Sequence, residues 1–394
     1  MLKMEQVDLK NKTVLIREDF NVPMKNGKIT HTARIDAALP TIRNALVQGA
    51  KVILMSHLGR PTEGHFDPAF TLQPIAEYLG MCLQEKVPLF QLGQPLPINK
   101  TGEVAMLENV RFLPGEEQND PRLAKQLAAL GEVFIMDAFA VAHRAQASTS
   151  GVAQFAPIAC AGPLLQKELE AIEQVLVHPK HPVVAIVGGS KVSTKLNLLS
   201  NLLDKVDTLV VGGGIANTFL AALNFPIGQS LYEESLIPVA KQMLQQAKSQ
   251  GKSLWLPEDV VVAQNIEDRE TKIKSCDQVT ELDKIFDIGP KSRQSLAQVI
   301  ASAKTILWNG PVGAFEYESF TEGTKSVALA IAESQAFSVA GGGDTLAAIE
   351  QFNIANRISY LSTGGGAFLE ALEGKTLPAV AALNARQAAG VNHA

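Results

Sequence analysis

Four arginines that each follow a short apolar run are the first residues here with a distinct chemistry to offer. Arg17 opens REDFNVP (17–23), Arg60 lies in SHLGRP (56–61), Arg111 in ENVRFLPGEE (108–117) and Arg144 in DAFAVAHRA (137–145). Arg34 adds a fifth guanidinium near the expected start of a helix, and His57 and His143 stand close to two of the others. A guanidinium is a planar fork that grips a carboxylate or phosphate through two parallel hydrogen bonds. A single arginine is ordinarily a solvated surface residue. Five beside turns at one expected sheet edge point instead to a pocket for an anionic substrate, with Asp19 and Asn21 placed to orient hydroxyl or neutral groups.

The second half of the chain answers with glycines. GGSK (188–191), GGGIANT (212–218), NGPVGAFE (309–316), GGGDT (341–345) and STGGGA (362–367) each follow an expected strand. None fits G-x-x-x-x-G-K-[ST] or G-x-G-x-x-G. Glycine lets backbone approach a ligand closely, and helix N-termini offer N–H donors to phosphate oxygens. One such loop could be a plain tight turn, whereas the set indicates a polyphosphate ligand. Lys191 and Lys195 are spaced i,i+4 and are expected just inside the helix after GGS, on a shared face. They oppose the macrodipole there unless phosphates arrive between them, or else are solvated surface lysines. Asp344 is expected as the N-cap of the helix TLAAIE, a role Asp fills without any ligand. It could also meet a magnesium ion, which typically binds one or two carboxylates plus substrate phosphates. His178 and His181 flank prolines with no carboxylate or thiol partner evident, so no metal pair is read there.

These side chains need a frame that delivers them to one edge. Short apolar runs alternate with helix-like segments throughout, which is the pattern of α/β units around parallel sheets. Strands are expected at 13–16, 51–55, 104–107 and 133–136 in the first half. In the second they fall at 183–187, 208–212, 253–256, 305–308 and 337–340. Helices fall near 35–48, 121–129, 193–203, 235–250 and 324–333. A chain of 394 residues exceeds one ordinary core. Between the halves, Leu165, Leu169, Ile172 and Leu176 recur at helical spacing in the segment 162–182, an expected connecting helix. With 46% apolar and 19% charged residues the composition is that of an ordinary soluble protein, and the net charge of −5 argues against a general nucleic-acid binder. Cys82, Cys160 and Cys276 are distant and odd in number, so free thiols in a reducing compartment are expected. The start of the chain has no apolar leader and no run of about 18 apolar residues occurs anywhere, which points to a cytoplasmic protein that does not span a membrane.

At these residues the chain resembles phosphoglycerate kinase of the bacterial type. REDFNVP, SHLGRP, ENVRF, DAFAVAHRAQAST, GGSKVSTKL, GGGIANTF, WNGPVGAFE, GGGDT and STGGGAFLEALEGKTLP occur in the family's order from about residue 13 to 378. The resemblance implies two Rossmann-like α/β domains with parallel sheets, joined by a helix, with a cleft between them. Residues 1–162 would hold phosphoglycerate, 163–181 would be the connecting helix, 182–375 would bind nucleotide, and 376–394 would return to the first domain. Asp19, Asn21, Arg34, His57, Leu58, Gly59, Arg60, Arg111 and Arg144 would form the 3-phosphoglycerate site. Lys195, Glu316, Gly342, Gly343, Asp344 and Thr345 would bind ATP, with Glu316 at the ribose and Asp344 toward Mg²⁺ in MgATP or MgADP. Arg34, Lys191 and Lys195 would be the catalytic set, acting on the transferring phosphoryl. A monomer without nucleic-acid or membrane partners is implied. Val141 and Phe368 depart from the family pattern at positions without a charge-bearing role.

The chemistry implied is direct transfer. The substrate carboxylate is already ionised at neutral pH, so it can attack the γ-phosphoryl without a general base. What the protein supplies is positioning, charge neutralisation and exclusion of water, with domain closure about the 162–182 helix and the STGGGA turn. Two other classes remain to be weighed. An NAD-dependent dehydrogenase would need G-x-G-x-x-G with an acid about 20 positions on, which is missing. A non-catalytic binder of organic phosphates would not need phosphate loops in one half and arginines in the other.

Overall fold

The structure, a computed structural model, describes residues 1–389. The chain divides into two compact units, Met1–Leu169 together with the chain from Thr376, and Glu170–Lys375. The last five residues of the segment expected at 376–394 lie outside the described residues.

The first unit is built on strands β1 (Thr13–Arg17), β2 (Met24–Lys25), β3 (Lys28–Ile29), β4 (Lys51–Met55), β5 (Leu89–Phe90), β6 (Val104–Leu107), β7 (Val133–Met136) and β8 (Ile158–Ala161). Its helices are α1 (Ala33–Val47), α2 (Gln73–Leu83), α3 (Pro121–Ala128), α4 (Val152–Phe155) and the start of α5 (Pro163–Leu176). Six strands form a parallel sheet in the order β5-β6-β4-β1-β7-β8, while β2 and β3 pair as a small antiparallel hairpin. The central strands are buried at every position or all but one, as TVLIR, KVILM and VFIM are near-continuous apolar runs covered on both faces. Register then fixes the edge. Arg17 pairs with Met55 on one side and Met136 on the other, and Leu54 pairs with Met106, so β1, β4, β6 and β7 release their following loops together. Asp120 caps α3 by accepting the amides of Arg122 and Leu123, ahead of a proline at its first position. Asp137, just past β7, does the same for α5 through Leu164 and Leu165.

The second unit takes up the rest of α5, within which the boundary falls, and the strands β9 (Val183–Val187), β10 (Thr208–Val211), β11 (Ser253–Trp255), β12 (Asp259–Ala263), β13 (Lys272–Ser275), β14 (Lys284–Ile288), β15 (Thr305–Asn309), β16 (Phe337–Gly341) and β17 (Tyr360–Ser362). Helices α6 (Leu196–Lys205), α7 (Gly213–Ala222), α8 (Ile237–Ser249), α9 (Pro290–Ser302), α10 (Glu322–Glu333), α11 (Gly343–Gln351) and α12 (Gly366–Leu372) alternate with them, and α13 (Pro378–Ala388) belongs to the first unit. The main sheet is parallel in the order β11-β10-β9-β15-β16-β17. Beside it, β13-β12-β14 form an antiparallel sheet that the apolar-run pattern did not announce. Val187 pairs with both Val211 and Asn309, so the glycine loops after β9, β10 and β15 leave at one level.

No described helix is long and apolar enough to cross a membrane. The three cysteines are free. Burial pushes the Cys160 thiol up, and Cys276 is pushed up to about 12, so both are inert as nucleophiles near neutral pH.

Candidate active site

Each unit carries its own set of the expected residues. In the first, Asn21 is the hub of the loop after β1. Its Oδ1 accepts the Gly59 amide at 2.9 Å, and its backbone carbonyl accepts Arg34 Nη1 at 2.9 Å. Asp19 Oδ2 lies 2.9 Å from the same Nη1, so Arg34, two-fifths exposed near the start of α1, is held by two acceptors with part of its fork still open. Gly59 adopts φ +61°, and a Cβ there would sit 2.3 Å from the Phe70 ring, so both backbone and space demand glycine. Its carbonyl accepts Arg111 Nη1 at 2.6 Å, and buried Leu58 is tied to the same loop because its carbonyl accepts Asn109 Nδ2 at 2.8 Å.

Positive charge accumulates around this loop. Arg111 is lowered from its usual range by burial and then by the like charges of Arg144 and Arg60, while Glu117 and Glu116 pull it back up. His57, 4% exposed, is held well below the usual histidine range by burial and by Arg17, Arg111, Arg144 and Arg34. The imidazole is therefore neutral at physiological pH. The structure thus brings together Asp19, Asn21, Arg34, His57, Leu58, Gly59 and Arg111, with Arg60 and Arg144 close enough for their charge to be felt. Arg17 departs from expectation. It was read as one of five anion-binding guanidiniums, yet it is fully buried, with Nε donating to Ser148 Oγ at 3.0 Å and Nη1 to the Glu18 carbonyl at 2.5 Å.

The second unit holds a cavity of about 670 Å³ lined by the glycine loops, with Gly213, Gly214, Val312, Glu316 and Asp344 among its walls. Lys195 stands beside Gly189, one of the lining glycines. Its Nζ donates to the Gly188 carbonyl at 2.6 Å, the Asn309 carbonyl at 3.0 Å and Asn309 Oδ1 at 2.8 Å. Burial lowers Lys195 to about 8, against a smaller upward pull from Asp344. Asn309 also donates from Nδ2 to the Gly341 carbonyl at 2.8 Å, tying the end of β16 to the lysine. Sequence reading passed over Asn309. The available signal was a polar residue ending an otherwise apolar, fully buried strand.

Two expectations in this unit are corrected. The first concerns the lysine pair. Lys191 and Lys195 do not share a helix face, because α6 begins only at Leu196. The preceding turn is taken over by side chains: Ser193 bonds Glu233 through both amide and hydroxyl, and Thr194 Oγ1 donates to the Lys191 carbonyl at 2.8 Å. Lys195 consequently turns inward while Lys191 stays exposed. The second concerns Asp344, which is not the N-cap of α11. Gly342 takes that position at φ +101°, so Asp344 falls in the first turn, exposed and without a hydrogen bond or ion pair among the described residues. Thr345 is buried and its hydroxyl accepts the Gly310 amide at 2.7 Å. Gly343 has nothing within 4 Å of a built Cβ and faces open space.

Elsewhere, His181 and His178 do meet carboxylates, Asp207 at 2.7 Å and Glu173 at 3.6 Å. Neither forms part of a metal site, and no group of three or more candidate metal ligands exists among the described residues. Phe368 is fully buried, its ring covering Gly341, and Val141 is buried in the first unit.

Comparison with known proteins agrees across the chain. A family model described as phosphoglycerate kinase matches residues 4–375. Phosphoglycerate kinase of Francisella philomiragia is 57% identical over 380 residues, covering 96% of this chain and 97% of that protein. That of Francisella tularensis is 55% identical over the same span and shares. The solved structure of phosphoglycerate kinase from Coxiella burnetii superposes with a TM-score of 0.96 at 53% identity, covering 98% of this chain and 99% of that one. The Pyrococcus horikoshii enzyme gives 0.80 at 33% identity, with 98% of each chain covered.

Proposed function

The chain belongs to the phosphoglycerate kinase family, and from that premise we propose which of its residues carry out the family's reaction. The reaction is reversible phosphoryl transfer between ATP and the carboxylate of 3-phosphoglycerate, giving 1,3-bisphosphoglycerate and ADP. Asp19, Asn21, Arg34, His57, Arg60, Arg111 and Arg144, with the Leu58–Gly59 turn, hold the phosphoglycerate. Lys195, Glu316 and the Gly342–Thr345 turn hold the nucleotide. The observation that carries this reading is the division of labour. Arginines converge on one loop hub in the first unit, and in the second a half-buried lysine, held only by neutral acceptors, sits among glycine loops.

The acceptor oxygen needs no base, since a carboxylate is ionised at neutral pH. Arg34 retains open donor capacity, and Lys191 is exposed and unconstrained by a helix; both stabilise charge on the phosphoryl in flight. Neutral His57 serves as a hydrogen-bond donor rather than a proton carrier. Asp344 would hold Mg²⁺, since its carboxylate is free at the cavity wall and one carboxylate with substrate phosphates is an ordinary magnesium set. When bound, the ion neutralises phosphate charge. Because acceptor and nucleotide residues belong to different units, the ligands must be brought together, and hinge motion at α5 and the STGGGA turn is the means we assign. One chain carries both sets, so it acts as a monomer, and the free buried thiols fit a cytoplasmic setting.

A coupled assay with 3-phosphoglycerate, ATP and Mg²⁺ tests the assignment. Wild-type protein should release ADP only when the acceptor is present. Asp344→Asn should shift the Mg²⁺ dependence to higher concentration, and an unchanged dependence would remove Asp344 from the metal role.

A further inference from the structure

His57 has two ring nitrogens, and the structure engages one. Arg17 Nη2 lies 3.3 Å from Nδ1. A guanidinium has no acceptor, so at this contact Nδ1 must accept. A neutral imidazole that accepts at Nδ1 carries its proton on Nε2, and Nε2 makes no hydrogen bond within the described residues. The nearest acidic group, Asp19, does not compete for Nδ1. Its Oδ1 is 4.0 Å away and accepts the Asn21 amide, while Oδ2 is taken by Arg34. The other charged groups facing the ring are Arg111, Arg144 and Arg34, all cationic, and with burial they keep it neutral.

Arg17 is itself braced from behind. Its Nε donates to Ser148 Oγ, which donates in turn to Glu116 Oε1 at 2.5 Å, and the Ser148 amide donates to Oε2 at 2.9 Å. Glu116 and Ser148 are both fully buried. Burying a guanidinium and a carboxylate is costly unless both are paired and hydrogen-bonded. Packing alone would be served better by apolar side chains of the same volume. Arg17 also has no exposed surface from which to grip a substrate.

We propose that Arg17, set by Ser148 and Glu116, is a positioning residue for the acceptor site: it holds His57 as the Nε2–H tautomer, making the ring's second nitrogen a committed donor to the anionic substrate. The inference rests on the reading above that His57 contacts phosphoglycerate. Its chemical sense is direct. The opposite tautomer would present a lone pair to a carboxylate or phosphate oxygen, and repel it.

The first measurement needs no variant. Long-range ¹H–¹⁵N correlation on wild-type protein, with His57 assigned by its loss in His57→Gln, should show protonated Nε2 and unprotonated Nδ1 from pH 6 to 8. An Nδ1–H or doubly protonated ring overturns the proposal. Kinetics then ask whether Arg17 acts through His57. Arg17→Met should raise KM for 3-phosphoglycerate roughly tenfold or more, the loss expected for one hydrogen bond to a charged group, with kcat changing less. Arg17→Lys keeps a cationic donor and should restore both the spectrum and most of KM. If Arg17→Met does not fold, Ser148→Ala, which loosens the brace alone, should mix the tautomers and raise KM. In a His57→Ala background, Arg17→Met should add less than about twofold, since coupled residues are non-additive; full additivity overturns the proposal. Wild-type KM in His57→Ala would instead sink the reading of His57 as a substrate contact, while the wild-type spectrum would still decide the tautomer.

Discussion

Nucleotide binding should draw a proton onto this protein at alkaline pH, and Lys195 is the site. In the free chain its ammonium is lowered to about 8 from an ordinary 10.5, chiefly by burial. Its three donor hydrogens go to the Gly188 carbonyl and to the carbonyl and side chain of Asn309, none of which carries a formal charge. In the proposed site, phosphate oxygens of a bound nucleotide would supply the missing counter-charge. If they return the lysine to its ordinary range, the shift of about 2.5 units is worth about 3.4 kcal/mol of binding selective for the charged form. Uptake would then be about 0.1 proton at pH 7, about half a proton at pH 8 and about 0.9 at pH 9, and affinity would weaken about fivefold between pH 8 and 9. The phosphates do not confuse the count, because their last ionisation lies near pH 6, roughly two units below this window. Titration calorimetry of ADP at pH 8 and 9, in buffers of differing ionisation enthalpy, reads the uptake as a slope. Lys195→Met should abolish it. Buffer-independent heats for the wild type would refute the reasoning, because Lys195 would then keep one protonation state throughout.

Two further outcomes follow from named groups. Asp287 is buried, with Oδ2 accepting the Gly323 amide at 2.7 Å and Oδ1 without a hydrogen-bond partner, and burial raises it to about 7. Its native pKa exceeds the unfolded value, so its contribution is intact below about pH 4 and is lost as pH rises through 7, on the order of 4 kcal/mol in all. Asp287→Asn should flatten the fall in urea-denaturation stability between pH 5 and 8 relative to wild type, and an unchanged slope would show that the carboxyl is ionised throughout. Arg34→Ala and Lys191→Ala should each lower kcat by about 10²–10³, as for one electrostatic donor to a transition state. Steady-state turnover near wild type would take that residue out of the catalytic set.

What could be read from sequence, and what could not, follows from how side chains leave a strand. The order of strand, loop and helix was legible because parallel strands covered on both faces are near-continuous apolar runs, and TVLI, VVAIV and TILW are such runs. Residue types in the loops beyond them were legible too, and most of the expected anion-binding set meets around Asn21. Arg17 was misread because it is the last residue inside β1, not the first of the loop. One position along a strand decides between the loop at the sheet's edge and the interior, and charge gives no warning of it. Lys191, Lys195 and Asp344 were misplaced for a related reason. Where a helix begins was decided by contacts distant in sequence, Glu233 taking the Ser193 donors, and by Gly342 adopting a left-handed φ. The glycine loops carry the deepest revision. They were read as room for a ligand, and Gly343 does face open space, but a Cβ on Gly188 would sit 1.7 Å from the Pro311 carbonyl, and one on Gly214 2.2 Å from the Ser190 carbonyl. Those glycines first let three loops from separate strands pack backbone to backbone. That packing brings the carbonyls of Gly188 and Asn309 together over Lys195. The lowered lysine is therefore a product of the glycines, and the proposed phosphate site would be made by the contacts between the loops more than by any one of them.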